Sequence, residues 1–108
     1  MDNSHYQKLG WLCCNTYDTN YMQAPKKSGV YLITEGSFDN YNPKLVYIGS
    51  SLNLYDRYRN HNIISKISSL GLIHAFYFKE YEKGFYDIEI ELIREFKPKY
   101  NKNLYGSR

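Results

Sequence analysis

The chain has 108 residues, enough for one hydrophobic core and too few for two that fold independently. Apolar residues are 43% and charged residues 23%, which excludes a mostly disordered chain, and a net charge of +3 permits nucleic-acid binding without requiring it. No apolar run approaches the roughly 20 residues of a membrane helix, and no basic start leads into an apolar stretch, so the expectation is an intracellular protein with no membrane role.

Residues 1–27 read as an N-terminal extension. They are polar apart from Trp11-Leu12-Cys13-Cys14, and Pro25-Lys26-Lys27 breaks any helix. The extension either docks through Trp11 or stays partly loose. The adjacent Cys13 and Cys14 read as reduced thiols, too few for a zinc site. The regular domain spans 28–108. Residues 29–34 are β-branched and aromatic and predict a strand. Residues 36–44 predict a loop, and 45–49 a second strand that forms an antiparallel hairpin with the first. Ser50 to Asn53 supply cap-type residues for a helix over 54–61. A short helix over 63–70 ends at Gly71. A third strand covers 72–81, and a last helix over 85–96 is stopped by Pro98. The fold class is α/β (α+β): a small three-stranded antiparallel sheet flanked by helices, in the order β-β-α-(α)-β-α.

Candidate chemistry follows from periodicity. Paired strands put Tyr31 and Tyr47 on one face of the sheet, either as packed rings or as a reactive pair. Gly29 and Gly49 would flank them and leave space for a ligand backbone. On a helix over 54–61, Arg57 and His61 are i,i+4 neighbours. They form either an exposed polar face or a pair that contacts phosphate. In the last helix Glu89 falls inside the stripe of Phe85, Ile88, Leu92, Ile93 and Phe96, and Glu91 falls outside it. An inward carboxylate needs a partner, either a basic side chain or a divalent cation such as Mg²⁺ that keeps several waters. Lys97, Lys99 and Lys102 either lie along a phosphate backbone or form a solvated turn. Asn101 caps or braces that loop.

Taken in order, these elements resemble the GIY-YIG nuclease family. Gly29-Val30-Tyr31 and Tyr47-Ile48-Gly49 match its two tripeptides, with Val30 for Ile. Arg57 and His61 follow at the family's spacing, Glu89 stands before Leu92-Ile93, and Phe96-Lys97-Pro98-Lys99-Tyr100-Asn101 matches the segment that ends the domain. The resemblance covers about residues 28–104. It implies a metal-dependent DNA endonuclease using Mg²⁺ or Mn²⁺. Tyr31 would be the general base or water-orienting group, with His61 as an alternative proton acceptor and Tyr47 beside them. Arg57 would neutralise the scissile phosphate, Glu89 would hold the metal, and Asn101 would support the site. Gly49, Ser50, Lys97, Lys99 and Lys102 would meet the DNA. The chain would act as a monomer or homodimer, with relaxed specificity, recognition of a DNA structure, or specificity supplied by a partner protein. The competing expectation is a non-catalytic DNA-binding or accessory module.

Overall fold

The computed structural model of the chain describes residues 6, 8–14, 23–39 and 42–104. Of the N-terminal extension, residues 1–5, 7 and 15–22 lie outside the described residues, as do 40–41 of the expected loop. Strands β1 (Leu12–Cys14), β2 (Gly29–Gly36), β3 (Lys44–Ser51) and β4 (Ile73–Glu80) form one antiparallel sheet in the order β1-β4-β2-β3. Helices α1 (Leu54–Arg59), α2 (Asn62–Ser69) and α3 (Phe85–Phe96) follow, and a 3₁₀ segment runs over Lys99–Leu104. No helix among the described residues is long and apolar enough to cross a membrane.

The sheet has four strands among the described residues, not the expected three. The added strand comes from the extension, with Leu12 to Cys14 pairing with Phe78 to Phe76. Three residues are too few for an alternation signal, and this strand forms because β4 offers an open edge ladder. Trp11 is buried beside it, with the Lys79 ammonium 4.8 Å from the ring centroid.

The central strand β2 is buried along its whole length, which explains a run with no polar alternation. Val30, Leu32, Ile48 and Tyr77 pack with Phe85 and Ile93 on the α3 side. Tyr31, Ile33, Phe76 and Phe78 pack with Leu54 and Ile67 on the α1–α2 side. A bulge opposite the Ile33–Thr34 step leaves Val46 as the extra residue of β3. Before the bulge the register is regular, and Tyr47, opposite Ile33, lies on the same face as Tyr31.

The helix expected over 54–61 is interrupted. Helix α1 ends at Arg59, and Asn60 caps it with its backbone N–H. His61 is extended (φ −120°, ψ 119°) and serves as the N-cap of α2. A cap signal buried in a run of helical periodicity decided the break. In α3 the half-buried Glu89 and exposed Glu91 follow the expected phase. Phe96 does not. It is the last helical residue and is more than half exposed, at the mouth of an apolar cleft that it lines with Trp11 and Leu92.

Candidate active site

The site begins with a ring laid over a glycine. Tyr31 stands opposite Gly49 on neighbouring strands. A Cβ at Gly49 would overlap the Tyr31 ring and hydroxyl, and a Cβ at Gly29 would meet the Lys79 carbonyl and Leu54. Both glycines therefore make room for the protein itself. This corrects the expectation that they leave space for a ligand backbone. Tyr31 also stacks on Phe76 (centroids 4.9 Å apart, planes 17° apart), so its ring is fixed from both sides.

Three elements converge on the Tyr31 hydroxyl. Arg57 on α1 donates from Nε at 3.2 Å, and Nη1 of the same fork donates to the Asn60 carbonyl at 3.1 Å. The His61 Nε2 lies 2.8 Å from the same hydroxyl. Tyr47 completes the cluster, with its ring 6.1 Å from Tyr31 and 5.0 Å from His61. Arg57 and His61 do meet, although they do not share a helix. Helix α1 is anchored at its start: Asn53 accepts from the Asp56 N–H, and the Lys27 and Pro25 carbonyls accept from the Leu54 and Tyr55 N–H groups.

The hydrogen bonds of His61 assign its proton. Nδ1 accepts from the Ile63 N–H at 3.1 Å, so it carries no hydrogen, and the neutral ring holds its proton on Nε2. Nε2 then donates to the Tyr31 oxygen. Burial, and next the charge on Arg57, push the His61 pKa down to about 4, so the ring is neutral near pH 7. A second proton could enter only at Nδ1, breaking the cap of α2. In this arrangement His61 acts as a donor to the Tyr31 oxygen. Tyr31 is under opposed influences. Burial raises its pKa well above the ordinary phenol value and the neighbouring Tyr47 adds to this, while the Arg57 hydrogen bond and charge pull back.

The acidic member lies on the other face of β3, an edge strand, so the candidate site wraps around that edge. Ser50, next to Gly49, stands opposite Val30, whose side chain belongs to the α3-side core. The Ser50 Oγ donates to Glu89 Oε1 at 2.5 Å. Ser50, expected on DNA, thus orients a carboxylate; its partner is 39 positions away, so no local pattern announced it. Among the described residues no three His, Cys, Asp or Glu side chains gather into a metal-binding group. The half-buried Glu89 carboxylate fits a cation that keeps waters and takes phosphate as a further ligand.

Asn101 is fully buried, and both of its side-chain hydrogen bonds go to backbone. Its Oδ1 accepts from the Ile48 N–H and its Nδ2 donates to the Ile48 carbonyl, both at 2.9 Å. It closes the outer edge of β3 one residue before Gly49, which makes it a positioning residue. Lys97 and Lys102 are exposed. The Lys99 ammonium is paired with the buried Glu35 carboxylate, which holds its pKa up. That pairing gives the half-exposed Lys99 a partner within the protein. No protein-family model, curated protein or solved structure matches the chain.

Proposed function

We propose that the protein is a metal-dependent endonuclease that hydrolyses DNA phosphodiester bonds at this edge-strand site. The observation that carries the reading is the Tyr31 oxygen, which receives N–H groups from both Arg57 and His61. Two donors on one phenol oxygen stabilise its anionic form against the burial that opposes it. Water attacks phosphorus in line as the bond to the leaving oxygen breaks, and Tyr31 orients that water or takes its proton. Arg57 would neutralise a nonbridging phosphate oxygen with the donors that Tyr31 and Asn60 leave over. Glu89, oriented by Ser50, would hold Mg²⁺ or Mn²⁺. That ion supplies positive charge to the phosphate and the leaving oxygen. His61 keeps the tyrosine oxygen hydrogen-bonded throughout, and Asn101 fixes the strand.

The test is a cleavage assay on supercoiled plasmid and branched oligonucleotides with Mg²⁺, Mn²⁺ or EDTA. Wild type should cut only with metal. Glu89→Ala should abolish cutting while retaining DNA binding, and Glu91→Ala should change the rate by less than about threefold, as expected of an exposed surface position. Arg57→Ala should lower the cleavage rate more than it weakens binding. DNA bound with no substrate cut under any condition would overturn the reading in favour of an accessory module. The ratio of nicked to linear plasmid separates one acting site from two.

A further inference from the structure

An open cleft of about 440 Å³ adjoins the reacting cluster, lined by Leu52, Asp56, Arg57, Asn60 and Tyr86 with backbone from the β3–α1 turn. Two of its side chains are large, apolar and in solvent: Leu52 is 73% exposed and Tyr86 57%. Leu52 is held out by design of the turn. The Ser51 Oγ donates to the Asn53 carbonyl and accepts from the Asn53 N–H, both at 3.0 Å, and this pins the backbone on either side of it. Tyr86 lies one turn before Glu89 on α3, so both fall on one side of that helix. Its ring is steadied by Phe85 at 4.8 Å. The cleft therefore borders the arginine expected to hold the phosphate, and its Tyr86 wall is one helical turn from the carboxylate expected to hold the metal.

We infer that this cleft takes one unstacked nucleobase next to the scissile phosphate, with the Tyr86 ring as the stacking platform and Leu52 as the wedge that fills the gap left in the duplex. This rests on the nuclease reading above. The lining chooses the occupant. A second phosphate is disfavoured by the Asp56 carboxylate, which can instead accept from the N–H groups of a base edge. An exposed aromatic beside an exposed aliphatic is how proteins stack and wedge open base steps. The consequence for substrate is a preference for DNA whose base is already unpaired at the cut, as at a bulge, mismatch or branch, because unstacking is then least costly.

The test uses the full-length Glu89→Ala protein, which binds without cutting, and duplexes carrying 2-aminopurine at a paired or an unpaired position. Binding should quench the unpaired probe by stacking. Tyr86→Ala in that background should remove the quench and weaken affinity for the unpaired duplex by about tenfold, the loss of one base–aromatic stack. Tyr86→Phe should restore both, which separates stacking from any folding defect. In parallel, the wild-type cleavage ratio of unpaired to paired substrate should fall toward one in Leu52→Ser/Tyr86→Ala. Equal quenching in Glu89→Ala with and without Tyr86, or equal cutting of paired and unpaired DNA by wild type, overturns the inference. Cutting without any quench sinks the pocket and spares the nuclease. A Tyr86-dependent quench with no cutting by wild type sinks the nuclease and keeps the pocket.

Discussion

Replacing Asn101 by Leu keeps the branched heavy-atom outline at a larger volume and removes both hydrogen bonds to Ile48. The N–H and carbonyl of the fully buried Ile48 then remain with no partner. Each unsatisfied buried group costs about 1–3 kcal/mol, so a loss of about 3 kcal/mol is expected, or roughly 13 °C in Tm for a domain of this size. Urea unfolding followed by circular dichroism measures it. Asn101→Asp sharpens the test. Its anion can still accept from the Ile48 N–H but faces the Ile48 carbonyl in a buried setting, so its folded pKa lies above the ordinary carboxyl value. The deficit relative to wild type should therefore narrow as pH falls through that raised value toward about 4, because protonation restores a donor to the carbonyl. A loss below about 1 kcal/mol for Asn101→Leu, or a deficit in Asn101→Asp that does not move with pH, would refute the brace.

Gly49→Ala should cost about 1–3 kcal/mol by overpacking and displace the Tyr31 ring, seen as a lower Tm together with loss of cleavage; a neutral result would mean the ring is not fixed over the glycine. His61 takes its proton near 4 when folded and near 6.5 when unfolded, so the unfolded chain binds more protons between those values. Stability is full above 6.5 and falls by up to about 3 kcal/mol as pH drops to 4. The half-buried His74, also lowered by burial, pulls the same way. The difference between wild type and His61→Gln isolates the His61 share, and parallel pH curves for the two proteins would contradict it. With the Tyr31 pKa raised, the cleavage rate should climb about tenfold per pH unit from pH 7 to 9 if its phenolate takes the proton, and a flat profile would leave Tyr31 only the orienting role.

Periodicity carried much of this fold. Strands β2, β3 and β4 and helix α3 stand within two residues of their expected bounds, and the phase of α3 separated Glu89 from Glu91. What it missed depends on partners distant in the chain. Strand β1 exists only through β4. The end of α1 was hidden because helical spacing continues past Arg59, whereas the cap bond from His61 to Ile63 forms only once the chain has turned. The residue types of the site were legible, and so was the meeting of Tyr31 and Tyr47. The directions of their bonds were not. Nothing local says that Asn101 faces Ile48 across 53 positions, or that Lys99 is taken by Glu35 across 64. Glycines are ambiguous for the same reason, since an open position in the sequence can be filled by a ring from the next strand.

The burial of Trp11 has a spectroscopic consequence. It is the one tryptophan in a chain with thirteen tyrosines, and it sits at the start of β1, under Lys79 and beside the apolar cleft on the α3 side. Light at the red edge of protein absorption excites this indole alone, so its emission reports on the seating of the N-terminal segment. Circular dichroism meanwhile follows the helices and the rest of the sheet. The two signals divide the molecule along the β1–β4 ladder, and their coincidence or separation on heating reveals whether the fourth strand melts with the sheet or peels away from it first.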